Sequence, residues 1–568
     1  INMSQKQKTK PTGIAFNVTI GVIVTLLIGV INYVDIEPWN IHAGSMWIKL
    51  FKFSLVICGG LCLIGFHENK LDKNSFLADK PLFPLFGIAT VIVLIIIFAI
   101  TGCQIFHSKQ YKNIVKLNDT TAEEAVPNVS DLDSIALMDT DSARQLGDRK
   151  IGEIESFSAF EVASGYTQLN VNNDPVKISP LVYKGFFKWK KNKDAGVPGY
   201  VTVSPTTMEA KYMKLDKGMR YVPSAYFSYN IYRKIHRDFP TAMFGWTHFE
   251  IDEKGNPYYV SAVYKTTVGM FSGKVVTGAI ITDPITGKSE KYNLKDIPEW
   301  VDIVWDGDLI CDLYDLSYKN INGYWNGTSF GANTGCKKTT KITTSSDDEN
   351  TNITSSDFGY IAKNNDIYIY TGVTSFAKDN SNLGFIVVNS RTGEYKFFAS
   401  SGANEKSAMN AAAGEVQNYN YTASFPSLVN INGQLSYIGV MKDNSGLVKM
   451  YYLVNADDYG KVVVKATRDE CLSAYLAKIG SSKAEIGESR NDSTVTIPEI
   501  PTSKDSDKVS FTVSVIQYVT EDGNTYVYIG TEDGQIYKSL FSENEELVFV
   551  KEGTTISGTV QDGMFYFN

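Results

Sequence analysis

The chain has 568 residues, a formal charge of −8, 43% hydrophobic residues and 20% charged residues. That balance excludes a disordered chain, because ample apolar surface is available for burial, and a mildly acidic protein is poorly suited to nucleic acid as its main partner. Of six cysteines, Cys58, Cys62 and Cys103 lie in hydrophobic segments, while Cys311, Cys336 and Cys471 lie far apart with no C-x-x-C, which supports neither a zinc site nor a redox motif.

In chain order, residues 1–12 read as a cytoplasmic tail and residues 13–106 as three transmembrane helices. Ile14 to Val34 is almost uniformly apolar, with Asn17 and Asn32 the exceptions, and Phe83 to Phe106 forms a second long run. Both exceed the ~18–20 apolar residues that cross a ~30 Å hydrocarbon layer. Between them Phe53 to Phe66 is shorter. Met46, Trp47, Ile48 and Leu50 extend it, and Lys49 and Lys52 can snorkel at that end. Lipid leaves a bare backbone unsatisfied, so helices are required. No small-x-small site follows the first run before Trp39, which makes it a retained anchor. Lys6, Lys8 and Lys10, and then Lys70, Lys73 and Lys80, flank a connection, Asp35 to Gly44, that has no basic residue. This pattern puts the N-terminus inside and the large remainder outside the membrane. Lys49, Lys52, Lys109, Lys112 and Lys116 pull the other way.

Residues 107–156 read as tether and helix. Asn113 to Pro127 is polar, and Asp131 to Ile154 has helical spacing through Ile135, Leu137, Leu146 and Ile151. Strand patterns dominate afterwards, and they repeat. Gly199-Tyr-Val-Thr-Val-Ser204 and Gly384-Phe-Ile-Val-Val-Asn389 are each followed by a turn and a second strand, Ala210 to Leu215 and Tyr395 to Ala399. A helix comes next, near Ser224–His236 and near Asn404–Gln417. Three strands follow: Phe244–Ile251, Tyr258–Lys265 and Val275–Thr282 in one copy; Ala423–Ile431, Leu435–Met441 and Leu447–Asn455 in the other. Asn432-Gly433 is a hairpin signal, because a type I′ turn needs positive φ. The expected fold is therefore α+β and β-rich, with β-β-α-β-β-β duplicated in residues 157–300 and 383–480 around an irregular insert, 301–382.

Thr339 to Ser356 reads as an exposed loop and residues 481–507 as a polar linker with Pro498 and Pro501. Residues 508–568 read as a small five-stranded barrel of the oligonucleotide/oligosaccharide-binding (OB) type, with turns at Asp522-Gly-Asn524, Glu532-Asp-Gly534 and Asp562-Gly563. Three Lys against nine Asp plus Glu give this part a net charge of −6, which disfavours a phosphate backbone as ligand. A packing or protein-contact module fits better.

Catalytic motifs are weak. Gly327-Thr-Ser-Phe-Gly331 matches G-x-S-x-G, but Asn-rich and Gly-rich flanks deny Ser329 the strand–turn–helix elbow that a nucleophile needs. His236 and His248 are acid–base candidates only if the fold joins them. Asp302, Asp306, Asp308, Asp312 and Asp315 could offer oxygens to Ca²⁺. Their spacing departs from the 12-residue loop, though, and Trp300, Val304, Ile310 and Leu313 make the segment read as an amphipathic element with a solvated face. Glu250, Asp252 and Glu253 read as turn and solvent residues. With no phosphate loop or dinucleotide fingerprint, no cofactor is expected.

Asp283-Pro-Ile-Thr-Gly287, closing a helix followed by three strands, resembles the turn that often ends a PepSY module; the second copy has Asn455-Ala-Asp-Asp458 there. Val197-Pro-Gly-Tyr-Val201, Phe249-Glu-Ile-Asp-Glu-Lys-Gly-Asn-Pro-Tyr258, Ile297-Pro-Glu-Trp-Val-Asp302, Tyr370-Thr-Gly-Val-Thr-Ser375 and Leu447-Val-Lys-Met-Tyr451 resemble a family of uncharacterised bacterial multi-pass membrane proteins with PepSY-like repeats. That resemblance implies a regulatory or protease-inhibitory module of the cell envelope. The residues themselves favour a non-enzymatic membrane scaffold whose partners are the lipid bilayer and either further copies or other envelope proteins. A hydrolase using Ser329, His236 or His248 is the third reading. A Cys311–Cys336 disulfide stays open beside the simpler reading of isolated buried thiols.

Overall fold

A computed structural model describes residues 11–71, 76–128, 137, 140–152, 158–172, 174–341, 358–364, 366–376, 382–485, 507–521, 524–531, 535–544, 546–547, 550–551, 553–561 and 564–567. The tail lysines, Lys73, Ile135, most of the Thr339–Ser356 loop, most of the 481–507 linker and several barrel turn residues lie outside these ranges. The chain divides into two compact units, Ile1–Ser482 and Lys483–Asn568.

The first unit begins with helices Pro11–Val34 and Gly44–Leu71. Both are long and apolar enough to cross a membrane. They present Ile14, Val18, Val22, Leu26, Ile48 and Leu63 outward, a surface suited to lipid rather than water. The second helix is longer than its central apolar run because its lysines find partners. Lys49 is buried, donates to the Asp35 carbonyl at 3.2 Å and lies 4.5 Å from the Trp39 ring, while Lys52 pairs with the Asp35 carboxylate at 2.7 Å. Asn17, polar within the first helix, donates to Glu68 at 3.0 Å.

The third apolar run is broken. Helix Leu85–Ile100 has 16 residues and bends by 45° into Gln104–Lys112, so only the two together are long enough to cross a membrane. At the break, Thr101–Cys103, the hairpin around Met270 packs closely. A side chain at Gly102 would collide with Ser272, and Met270 N–H donates to Thr101 Oγ1 at 3.2 Å.

Four sheets follow among the described residues, each built on an antiparallel meander of four strands and each meander succeeded by a helix; short extra strands extend three of them. The first joins Thr167–Val171, Asp174–Tyr183, Val197–Val203 and Ala210–Met219, and precedes helix Ile231–Asp238. The second joins Met243–Ile251, Pro257–Val268, Ser272–Thr282 and Ser289–Asn293, and precedes Gly307–Lys319. The third joins Gly359–Lys363, Asp366–Ser375, Asn382–Asn389 and Tyr395–Gly402, and precedes Glu405–Glu415. The fourth joins Ser427–Ile431, Gln434–Lys442, Val448–Asn455 and Val462–Lys465, and precedes Arg468–Glu485. The repeating unit is thus half the size expected. The stretch 301–382 is not an irregular insert, since it supplies a helix and two strands of the third module.

One local device recurs at the turn between third and fourth strands. Ser204 Oγ accepts from Thr207 N–H, and Asp283 Oδ1 accepts from Ile285 and Thr286 N–H. Asn389 Oδ1 accepts from Arg391 and Thr392 N–H, and Asn455 Oδ1 from Asp457 and Asp458 N–H. A short polar side chain that bonds forward to the backbone closes such a turn. Asn455 therefore does what Asp283 does, and the last copy keeps the geometry with a different sequence. Asn432 and Gly433 sit at φ 51° and 76°, as their hairpin requires.

The sheets stack, and most strands feed two cores. Tyr259 and Val263 pack with the first sheet and Ile231 and Ile235, whereas Val260 and Ala262 pack with Ile310, Leu313 and the third sheet. Tyr370 and Phe385 face Ala408, Met409 and the fourth sheet; Ile369 and Ile386 face back. Ile438, Val440 and Leu453 meet Cys471, Tyr475 and Ile479 beyond. Strands buried on both faces lose polar alternation, which is why strand Asp366–Ser375 of the third module escapes a periodicity search.

The polar segment after the apolar helices is no loose tether. Leu117–Asp119 pairs in parallel with Tyr395–Phe397, Thr121 caps a short helix, and Val115, Ala125 and Val126 are buried. All six cysteines are free thiols, so Cys311 and Cys336 are not bridged.

The second unit is a closed barrel in the order first, second, third, fifth, fourth strand, with the third and fifth parallel. Val513, Val527, Ile529, Ile556 and Phe565 fill it.

Candidate functional site

The densest polar feature of the first unit lies at a joint between modules. His248 and Glu250 stand two residues apart on strand Met243–Ile251 and so project from the same face. His248 Nε2 lies 2.6 Å from Glu250 Oε1. The segment leading into helix Gly307–Lys319 brings Asp302 and Ile303 N–H to the same carboxylate, each at 3.1 Å. Asp302 in turn accepts from Asn170 N–H of the first sheet at 2.6 Å. Three elements far apart in sequence are closed by two carboxylates. Arg391, paired with Asp366 of the third sheet, contributes a further charge nearby.

Glu250 is 0% and Asp302 3% exposed. Burial, then the Glu250 charge, hold Asp302 far above the ordinary carboxylate range, while the Asn170 N–H opposes. Such a pair resembles an acid–base dyad in electrostatics alone. Here the oxygens are occupied by His248 and three backbone donors inside a sealed core, and Trp246 stacks on His248 at 4.0 Å. The arrangement serves as a clasp.

A second clasp ties the third module's helix to its own sheet. Asn404 caps helix Glu405–Glu415 by accepting from Ser407 N–H at 2.9 Å. Glu405, fully buried in its first turn, accepts from Gly372 N–H at 2.6 Å. Burial pushes Glu405 up to about 7, opposed by its own and the Gly372 N–H.

The structure does not unite the other residues singled out in the sequence. Glu250 is no solvent residue. Asp252 does close its turn, accepting from Lys254 and Asn256 N–H at 2.9 and 2.8 Å. The aspartates separate: Asp302 is inside, Asp306 precedes the helix, and Asp308 and Asp312 lie on its exposed face. Asp315 accepts from Thr339 N–H at 2.7 Å. Among the described residues no three His, Cys, Asp or Glu side chains converge as metal ligands. Ser329 occupies an exposed turn after the single helical turn Trp325–Gly327 and has no hydrogen-bonded base among the described residues. His236 lies on helix Ile231–Asp238, bonded to neither His248 nor Glu250.

No known protein family matches this chain, and no curated protein matches it. Among solved structures, an exo-β-1,3-galactanase from Phanerochaete chrysosporium, determined with galactose, is 10% identical over 66% of this chain and 78% of that one, at a TM-score of 0.17. A likeness that slight carries no argument about fold or activity.

Proposed function

We propose that this chain is a non-enzymatic membrane scaffold that crosses the bilayer three times and holds its sheet stack in a fixed pose on the outer side. The observation that carries this reading is the direct seating of the stack on the apolar helices. Trp39 N–H donates to Pro240 O at 2.8 Å, Ser317 Oγ donates to Lys112 O at 2.6 Å, and Arg233 donates to Tyr33 O. Phe271 packs edge-on against Phe98 at 6.2 Å. The C-terminal end of the first helix, the N-terminal end of the second and the C-terminal end of the third all meet the stack, the arrangement that three crossings produce. A rigid seat of this kind suits a protein whose task is to present surface to partners, either second copies or other envelope proteins, and the acidic OB-like barrel adds another such surface.

Two experiments test this. Carbonate washing should leave the full-length chain with the membranes; release into the wash would remove the anchor from the reading. Mass photometry of detergent-solubilised protein should show self-association or a co-purifying partner, and a clean monomer at micromolar concentration would count heavily against assembly. The Asp283–Gly287 turn at the end of a helix-and-strands module supports a second reading, a PepSY-type inhibitor of an envelope protease. Protease assays with the solubilised full chain separate it from a scaffold.

A further inference from the structure

Helix Ile231–Asp238 and the end of the first apolar helix enclose a cavity of about 680 Å³, lined by Gly29, Asn32 and Tyr33 on one side and Phe227, Arg233 and Arg237 on the other. Gly29 lies within the apolar run itself; with that helix embedded, the cavity opens where hydrocarbon gives way to headgroups. Arg233 donates to Tyr33 O and stands 4.2 Å from its ring centroid, and Arg237 lies 3.7 Å from Asp238. His236 also faces this space, and its buried Nδ1 has no partner among the described residues; burial, then the Lys49 charge, lower its pKa.

The rim continues in the same chemistry. Phe227 adopts φ 54°, a conformation rarely tolerated by an aromatic residue, with its side chain 52% exposed. Phe186 packs against Tyr226 and Phe227 at 5.2 and 6.2 Å, and Phe187 beside it is 81% exposed. Residues 184–193 carry five lysines and no acid, in a chain whose net charge is −8. Lys184, Lys188, Lys190 and Lys191 are exposed. Exposed aromatics ringed by lysines, continuous with an apolar helix, have the make-up of a surface that sits in the headgroup layer.

We propose that this corner binds anionic phospholipid, with the phosphate between Arg233 and Arg237 and the Phe187–Phe227 ridge among the upper acyl carbons. Guanidinium forks match phosphate geometry, and the lysine row adds attraction to an anionic leaflet. The proposal rests on the helices being embedded, and its test separates the two ideas. Full-length protein would be reconstituted in nanodiscs of phosphatidylcholine alone or mixed with phosphatidylglycerol, and retained lipid read by native mass spectrometry after detergent release. Wild type should retain phosphatidylglycerol in preference to phosphatidylcholine, and R233Q/R237Q should weaken that preference about tenfold. If that variant misfolds, K188Q/K190Q/K191Q, altered only at exposed lysines, should still lower it. Equal retention of both lipids by wild type, unchanged preference in the variants, displacement by inorganic phosphate, or a second copy of the chain seated there would each overturn the proposal. Carbonate-resistant protein without lipid preference would sink this site alone, whereas carbonate release would sink the anchor.

Discussion

The two clasps solve one problem with different residues. Both bury a carboxylate close to the start of a helix, and both use it to take backbone N–H groups that packing would otherwise strand. At the Glu250–Asp302 joint two acids and a histidine tie the first sheet, the second sheet and the segment before helix Gly307–Lys319 together; at the Glu405 joint one acid suffices. The modules repeat in backbone, while the polar chemistry between them is particular to each joint. A stack of like sheets has several equivalent ways to pair, and buried groups that are satisfied in one pairing only would specify it.

The comparison predicts unequal responses. Glu250→Ala should cost most, about 3–5 kcal/mol, because it strands His248 and two N–H groups beside Asp302; chemical unfolding of the solubilised protein measures it, and a loss no larger than that of Glu405→Ala would erase the distinction. Raising pH should weaken both joints. Glu405 and Asp302 bind protons more tightly folded than unfolded, so the stability they contribute is full at low pH and is lost as pH rises. For Glu405 the window runs from about 4, the unfolded value, to about 7. The slope approaches ~1.4 kcal/mol per pH unit for each proton held. Thermal scans across that window should show the decline, and Asp302→Asn with Glu405→Gln should flatten it.

Glu405→Ala alone should cost about 1–3 kcal/mol at neutral pH by leaving the buried Gly372 N–H unpaired. Asn455→Ala should lose about 1 kcal/mol, since two turn N–H groups lose their acceptor, while Asn455→Asp should hold near wild type. Asp308→Ala and Asp312→Ala, on the solvated helix face, should stay within about 0.5 kcal/mol, and a calcium-dependent rise in melting temperature that they abolish would restore the metal reading.

Much of this was legible from residues alone. The apolar helices announce themselves because lipid demands length and uniformity, and the Asn432–Gly433 hairpin because positive φ selects few residue types. Five of the six strands expected after the two helices lie within three residues of the observed ends; Ala423–Ile431 is two strands, Thr422–Ala423 and Ser427–Ile431, and Ser289–Asn293 and Val462–Lys465 have no counterpart in the sequence reading. Glu250 was misread because its sequence neighbours, Asp252 and Glu253, do belong to a turn; its own fate depends on donors at Asp302 and Ile303. The Asp366–Ser375 strand was missed because burial on both faces erases its alternation.

The sequence by itself determined which segments can sit in lipid, where many of the strands and turns fall, and that a pattern repeats. Only the tertiary structure decided that the repeat has four copies rather than two, that the third apolar helix breaks where Ser272 presses on Gly102, and that Glu250, Asp302 and Glu405 lie inside. Hydrophobic spacing and turn chemistry are local and can be read along a chain. Whether a charge is buried depends on partners brought from elsewhere, and a linear pattern does not encode that directly.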